Sequence, residues 1–544
     1  MTRAGALSRA QTTGGRLVVD ALLMHEVDTL FCVPGESYLP VLDALYDEKE
    51  RVRLVSCRHE SGAAMMAAAQ AQLTGRPGAC FVTRGPGATN ASIALHIARQ
   101  ASIPMVLGVG QVARADLGRD AFQEVDFEAF FAPLVKHVEQ VNRAEAIPGA
   151  FARAFHQAQS GRPGPVVLVF PEDVLGDEVE AAAETPQCLV RHGLMQTELR
   201  DIENRLNGAE RPLVILGGGT LDDAAIQNVE QFARRNALPV CVSFRRQDHF
   251  DNTHPSYAGY LGLNAHADLW RFAEQSDCLV VLGARLDAPT TRGYTVLRSG
   301  GSRVLVQIYP NRAELGLNYD TDLSLCADVA AVAAALSSIE LEDGESRKAW
   351  CKRLREAYVT ASKPPTTDAK LDPGRVMSSL NARLPGDAIV TLDAGNFTLW
   401  PQRYREYRRP GRLLAPINGA MGYGVPAAIG ASLALPGRRV VGFVGDGGML
   451  MTGMELATAA KYGATPLILV FNNGKYGTIE AHQDRCYPGR RIGNDLVNPD
   501  FAAFARSFGL FGARVEANDG FDDTLDKAMA AKTAAVIELV LDQD

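Results

Sequence analysis

Apolar residues fall along this chain in short, β-branched runs separated by stretches with helical spacing. TLFCVPG, VRLVSC, GACFVT, SIPMVLGVG and GPVVLVFP predict buried strands between Gly15 and Asp177, with helices between them. PLVILGG, LPVCVS, DCLVVLG and RVLVQIY repeat the alternation between Met195 and Leu341. DAIVTLD, RRVVGFVGD, PLILVFNN and AAVIELVL repeat it again between Asp372 and Asp544. Such alternation predicts an α/β chain built on three doubly wound parallel sheets. Residues 1–14 read as a flexible lead-in. Residues 178–194, with weak periodicity, read as a linker, as do 342–371, a charged helical piece followed by Pro364-Pro365. The domains are therefore 15–177, 195–341 and 372–544. Their similar size and pattern suggest related sheets rather than a solenoid.

The stretch Gly445 to Asn473, GDGGMLMTGMELATAAKYGATPLILVFNN, carries the most chemistry. RRVVGFV before it reads as a buried strand that Gly445-Asp446-Gly447-Gly448 breaks. Met449 to Tyr462 has helical spacing and Gly463 stops it. Pro466 to Phe471 reads as the next strand, ending at Asn472-Asn473. A strand–helix–strand crossover returns parallel to itself, so Asp446 and Asn473 fall at carboxyl ends of strands in one sheet, where open α/β sheets bind ligands. One hard carboxylate and one amide oxygen suit Mg²⁺ or Ca²⁺ completed by phosphate and water. The glycines let backbone N–H groups approach a diphosphate at a helix N-terminus. GDG alone is commonly an ordinary turn, and NN alone says less. Joined by the 24 residues 448–471 with these elements between, they resemble the diphosphate-binding motif of thiamine diphosphate (ThDP) enzymes.

Glu60, in VSCRHESGAAMMAAAQAQLTG, ends a predicted strand and starts an Ala- and Met-rich helix. Alone it reads as a helix-start carboxylate complementing the dipole. Because the helix is small and apolar on all sides, Glu60 is expected in a dry crevice, where a carboxylate's pKa rises and it can exchange protons.

The resemblance extends along essentially the whole chain after residue 15. Arg58-His59-Glu60 is similar to the glutamate motif of the pyrimidine-binding domain of ThDP enzymes. Thr83 to Asn90, TRGPGATN, resembles the family's TSGPGATN loop, with Arg84 where serine is usual. Pro212 to Gly219 and Gly283 to Asp287 look like the central domain of the acetolactate synthase-like group. These motifs are specific as to family and much less so as to reaction. The resemblance implies that Glu60 hydrogen-bonds the aminopyrimidine ring and drives its imino tautomer. It implies that Asp446, Asn473 and the carbonyl of Lys475 bind Mg²⁺, and that Gly447 and Gly448 line the diphosphate. Gly395 and Asn396 in DAGNF resemble a second diphosphate contact. Met421 in NGAMGYG matches the residue that bends the cofactor, and the carbonyl of Gly419 would accept from its amino group; core packing is the plain alternative for Met421.

Gln123 in AFQE resembles an active-site glutamine of acetolactate synthases, and reads equally as a solvated helix residue. Gln111 sits at a strand end facing the same edge. His482 lies where biosynthetic acetolactate synthases place a tryptophan, and reads as a surface residue or as a titratable pocket wall. Gly283 to Ala288 departs from the GxRFDDR-like run of the FAD-binding synthases, and Phe397 stands where those have histidine. Both departures count against FAD. Leu216 to Thr220, LGGGT, lacks G-x-G-x-x-G spacing and reads as a strand-to-helix turn.

Bulk properties narrow the partners. The 544 residues carry a net charge of −8 with 47% apolar and 22% charged residues, which does not indicate a nucleic-acid partner. No apolar run reaches the ~20 residues of a membrane span, and the N-terminus lacks an apolar signal core. Nine cysteines without a CxxC read as reduced core thiols in a cytoplasmic protein. The function implied is ThDP- and Mg²⁺-dependent decarboxylation of a small 2-oxo acid followed by acetolactate synthase-like carboligation, in a homodimer or homotetramer. A non-oxidative decarboxylase releasing an aldehyde is the alternative. A weakly catalytic cofactor-binding paralogue acting through subunit assembly is a third reading, against which Glu60, Asp446 and Asn473 argue.

Overall fold

The computed structural model of the protein describes residues 10–181, 184–218, 221–297 and 303–542. Among the described residues, eighteen strands build three six-stranded, wholly parallel sheets, and two more form a small antiparallel pair. The pair is β1 (Ala10–Thr13) with β8 (Glu178–Ala181). The first sheet holds β2 (Thr29–Cys32), β3 (Arg53–Ser56), β4 (Gly78–Val82), β5 (Met105–Gln111), β6 (His137–Gln140) and β7 (Pro165–Pro171). The central sheet holds β9 (Pro212–Leu216), β10 (Val240–Val242), β11 (Tyr257–Tyr260), β12 (Cys278–Leu282), β13 (Val304–Tyr309) and β14 (Leu323–Cys326). The third holds β15 (Ile389–Leu392), β16 (Arg412–Leu414), β17 (Val440–Gly445), β18 (Leu467–Asn472), β19 (Phe511–Val515) and β20 (Ala535–Val540).

Their spatial orders are β3-β2-β4-β5-β7-β6, β11-β10-β9-β12-β13-β14 and β16-β15-β17-β18-β20-β19. Counted within each sheet, the first and third share the order 2-1-3-4-6-5, whereas the central one runs 3-2-1-4-5-6. In the third sheet the order reverses between neighbours β15 and β17, which makes a ligand crevice outside their carboxyl ends. Asp393 follows β15 directly and Asp446 follows β17 directly.

The chain divides into two compact units. One comprises the described residues of Met1–Val190 with Val425–Leu435 and Thr452–Ala464. The other comprises those of Arg191–Gly424, Pro436–Met451 and Thr465–Asp544. In the first, the helix Glu60–Thr74 is buried at every position from Ser61 to Ala71, which explains its small residues. A Cβ on Gly78 would lie 2.1 Å from the Ala67 carbonyl, and one on Gly430 would lie 2.8 Å from that of Met66, so both glycines are required for close packing on this helix. Among the described residues no helix is long and apolar enough to cross a membrane. All nine cysteines are free; six are buried, and Cys188, Cys326 and Cys486 are exposed.

Several expectations are corrected. Thr12, Thr13 and Val179 favour strand, so residues 10–13 and 178–181 pair where lead-in and linker were expected. The charged helical piece expected at 342–371 is the helix Glu345–Ala361, but it is part of the central core rather than a free linker: Trp350 and Leu354 join that core and Trp350 Nε1 donates to Pro212 O at 3.0 Å. The TRGPGATN loop is helical from Gly85, with Pro86 in the first turn. The helix expected over 449–462 is instead Asp446–Thr452, a 3₁₀ turn Gly453–Glu455 and Leu456–Tyr462, with Gly463 as left-handed cap. The break turns Glu455 inward to a fully buried position. Gly219 and Thr220 of LGGGT lie outside the described residues.

Candidate active site

In the first unit, β3 ends at Ser56 and His59 caps the helix that Glu60 opens; His59 Nδ1 accepts from Ser61 N–H at 3.2 Å. Glu60 is half-buried rather than enclosed in a dry crevice, because it is the helix's first residue and burial begins only at Ser61. Its Oε2 accepts from Asn90 Nδ2 at 2.9 Å. A Cβ on Gly87 would stand 3.4 Å from Glu60 Oε1, so the helix Gly85–Ala101 faces the carboxylate with Gly87 and Asn90. Gln123 lies in a turn with φ 66°, not in a helix, and its carbonyl accepts from Gly85 N–H at 3.0 Å. Gln111 is buried and braces that turn: Nε2 donates to Val125 O at 2.9 Å and Oε1 accepts from Val112 N–H at 3.0 Å. Glu60, Asn90, Gly87 and the Gln123 turn thus form one edge cluster. Arg84, buried at the same edge, pairs with Glu172 and, at 3.4 Å, with Glu36.

In the second unit, Asp446 is only 4% exposed. Its Oδ1 accepts from Gly447 N–H at 3.0 Å, and its Oδ2 accepts from Gly474 N–H at 2.9 Å and Asn498 Nδ2 at 2.8 Å. Asn472 Oδ1 shares the last two donors, at 3.1 and 3.0 Å, and its Nδ2 donates to Glu538 at 2.7 Å. Asn473 Oδ1 accepts a long contact from Lys475 N–H at 3.4 Å, and the Lys475 carbonyl accepts from Gly477 N–H at 2.9 Å. The Asp446 turn and the 472–475 turn are therefore one structure.

The glycines are backed by side chains. A Cβ on Gly447 would lie 2.5 Å from the Tyr476 ring and 3.3 Å from Met421 Cε; one on Gly448 would lie 2.8 Å from Asp393 Oδ1. Gly395, at φ 151°, passes the Phe397 ring where a Cβ would stand 2.7 Å away. Asn396 Oδ1 accepts from Thr478 Oγ1 at 2.9 Å, joining the DAGNF loop to the helix Gly477–Cys486. Gly419 is exposed, with φ 75° and open space around it. His482 is exposed on a helix without buried residues, and its Nδ1 accepts from Arg485.

Residues 12–130 match the thiamine pyrophosphate enzyme N-terminal TPP binding domain, 199–336 the central domain and 393–539 the C-terminal TPP binding domain. The chain is 33% identical over 542 residues to the acetolactate synthase large subunit of Parasynechococcus marenigrum, covering 97% of this chain and 87% of that protein. It is 32% identical over 547 residues to the acetolactate synthase of Mycobacterium bovis, with the same coverage. It is 30% identical over 550 residues to a probable acetolactate synthase large subunit of Methanocaldococcus jannaschii, covering 97% of this chain and 92% of that one. The chain belongs to the acetolactate synthase-like thiamine pyrophosphate enzymes.

In this thiamine pyrophosphate enzyme, two aspartates at the switch point answer to opposite needs. Asp393 is fully buried and accepts from the N–H groups of Ala394 at 2.8 Å and of Gly422 and Gly424 at 2.9 Å each. Burial raises its pKa, and those three donors oppose the rise. It ties the DAGNF and NGAMGYG loops together and backs Gly448, so it is structural scaffolding. Burial also raises Asp446 above the ordinary range, with Asn498 the first opposing influence. Beside it Asn498 Oδ1 is buried without a partner. A nearly enclosed carboxylate with the Asn473 amide oxygen in the adjoining 472–475 turn suits a small hard cation.

Asp393, Asn498, Glu538 and Asn90 escaped the sequence reading as site residues. Asp393 had a local signal, the DAGNF loop. Asn498 and Glu538 had none, since they reach the site from 26 and 66 residues beyond Asn472.

Proposed function

We propose that the chain binds thiamine diphosphate with Mg²⁺, decarboxylates a small 2-oxo acid and joins the remaining carbon unit to a second carbonyl compound, as the names of its relatives suggest. The observation that carries this reading is the Asp446 carboxylate, held by three donors against the 472–475 turn at the sheet's switch point. Bound there, thiamine diphosphate supplies the electron sink that lets a bond beside a carbonyl break. Asp446, Asn473 and the carbonyl of Lys475 would hold the metal. The amides of Gly447 and Gly448 and the Gly395–Asn396 loop take the diphosphate. Met421 and the Gly419 carbonyl orient the pyrimidine end. Glu60, its Oε2 held by Asn90, carries the proton exchanged at the pyrimidine ring.

Gln123 and His482 are the proposed substrate contacts. His482 is exposed in its own unit and takes that role only in an assembled protein, for which a homodimer or homotetramer is proposed. The exposed Ile479, Tyr487, Ile492 and Val497, all within one segment, support assembly. FAD stays doubtful, on the departures at Gly283 to Ala288 and at Phe397. The free, mostly buried cysteines support a cytoplasmic setting.

The test is incubation of protein loaded with Mg²⁺ and thiamine diphosphate with a panel of 2-oxo acids, reading CO₂ and products by mass spectrometry. Acetolactate from pyruvate alone supports the proposal. Free aldehyde would move the assignment to a decarboxylase, and no turnover with any acid would leave a cofactor-binding paralogue.

A further inference from the structure

The residue before Glu60 is held by a group that the reaction as proposed does not use. Glu455 is fully buried in the first unit. Its Oε1 accepts from Arg58 N–H at 3.1 Å and His59 N–H at 2.9 Å, its Oε2 from Arg58 N–H at 3.3 Å, and Thr458 Oγ1 donates to Oε2. A Cβ on Gly62 would lie 2.4 Å from Glu455 Oε1, so the helix that Glu60 opens admits this carboxylate only because residue 62 is glycine. Tyr462, one helix further on, grips the preceding strand. Its hydroxyl accepts from Ser56 N–H at 2.8 Å, its carbonyl accepts from Arg53 Nη2 at 3.1 Å, and the Arg53 guanidinium lies 5.7 Å from its ring centroid. β3 is an edge strand, so Tyr462 satisfies an N–H that no neighbouring strand can reach.

We infer that Glu455, assisted by Tyr462, is a positioning residue for Glu60. It caps the backbone N–H groups on which the β3-to-helix turn is built, and so fixes where the Glu60 carboxylate points. A buried carboxylate is costly to desolvate, but an apolar residue in its place would leave the Arg58 and His59 N–H groups without this acceptor. What the carboxylate adds is direction: two adjacent N–H groups aimed at one oxygen define the orientation of residues 58 and 59, and hence of residue 60. Burial raises the Glu455 carboxyl above its ordinary range, while Thr458 and the two N–H groups favour its charged form. The same run of chain, 446–462, supplies the proposed metal ligand Asp446 at its start and this brace at its end. The inference rests on the reading of Glu60 as the proton-exchanging group.

The test compares Glu455→Gln, Glu455→Asp and Tyr462→Phe with the unaltered protein. Amide hydrogen exchange of the peptide covering residues 56–64 is followed in cofactor-free protein, with thiamine diphosphate affinity by calorimetry and turnover in the loaded enzyme. Gln keeps one acceptor oxygen in place, whereas Asp withdraws the carboxylate by a methylene. The expected result is faster exchange confined to residues 56–64, thiamine diphosphate affinity within about threefold of the original, and kcat lowered tenfold or more in Asp and less in Gln. Tyr462→Phe, which removes one hydroxyl, should give a smaller change of the same kind. Unchanged exchange at 56–64 in all three variants overturns the inference. So does a loss of affinity, melting temperature and kcat in parallel, which would mark Glu455 as general scaffolding. If the unaltered protein bound no thiamine diphosphate, the proposed function would fail on that measurement, while the exchange data would still report whether Glu455 orders the turn.

Discussion

Asn498 Nδ2 lies 2.8 Å from Asp446 Oδ2 and so fixes the rotation of the carboxylate on which the proposed metal site depends. With Gly474 N–H on the same oxygen and Gly447 N–H on the other, three of the roughly four acceptor positions of the carboxylate are taken. The remaining one has a set direction. Asn498→Ala should therefore weaken Mg²⁺ binding without abolishing it, by about 10- to 100-fold, as loss of a residue orienting a metal ligand commonly does. Asp446→Asn should abolish it. Calorimetric titration of Mg²⁺ in the presence of thiamine diphosphate checks both, and equal affinity in Asn498→Ala would reject the orienting role.

Asp393 makes a different prediction. Asp393→Ala leaves the N–H groups of Ala394, Gly422 and Gly424 without their acceptor, the last two of them buried. At about 1–3 kcal/mol for each orphaned donor, the loss should be several kcal/mol. The buried Arg245 guanidinium, which donates to the Asp393 carbonyl at 3.2 Å and to Pro416 O at 2.6 Å, keeps those contacts because they are to backbone. The thermal midpoint should drop by several degrees in the alanine variant and by less in Asp393→Asn, which retains one acceptor. Equal midpoints for the two would show that the carboxylate's hydrogen bonds do not hold the loops.

Much of this was legible in the sequence, and what was not has a pattern. The three sheets, the edge positions of Asp446 and Asn473, and Glu60 at a helix start all follow from apolar runs that stop at glycine or at a polar pair. Within the three six-stranded sheets the strands that escaped, β6, β11, β14, β16 and β19, are all sheet edges. HVEQ, YAGY, LSLC, RLL and FGARV are short, or interrupted by glycine or charge, because an edge strand has one neighbour rather than two. The same limit applies to the site. The helix expected from 449 to 462 has good periodicity, and it breaks at 453–455 because Glu455 finds Arg58 and His59 some 400 residues away, which no local pattern encodes. Glu60 was expected in a dry crevice because its helix is apolar, yet a helix's first residue is where burial ends.

Glu60→Gln should separate binding from chemistry. The glutamine keeps the size of the side chain and an oxygen for Asn90 Nδ2, now 2.9 Å from Glu60 Oε2, but it cannot exchange a proton. Turnover should fall by about 10²- to 10⁴-fold, the usual contribution of one acid–base group. Affinity for thiamine diphosphate and Mg²⁺ should change little, since the clamp at Asp446 is untouched. Full turnover in Glu60→Gln with every tested 2-oxo acid would remove Glu60 from the mechanism.

Acid should destabilise the protein through histidines that are buried neutral, and His254 is the clearest of them. It is 5% exposed, its Nδ1 accepts from Ser256 N–H at 3.1 Å, and its ring meets Phe250 edge-on at 5.0 Å. Protonating Nδ1 would lose that acceptor inside the core. Burial, with Arg234 next, lowers its pKa to about 4 from 6.5. Between those two values the unfolded chain binds a proton that the folded chain does not, so stability rises with pH across the window and is lost on acidification from about 6.5 towards 4. His249, lowered to about 3, and the half-buried His25, lowered to about 4, act in the same direction. One such group contributes at most ~1.4 kcal/mol for each pH unit. The thermal midpoint should therefore fall between pH 7 and pH 5, and His254→Gln, whose side-chain oxygen can still accept from Ser256, should show a shallower fall. An identical pH dependence in that variant would mean that His254 is not one of the groups whose proton uptake drives acid unfolding.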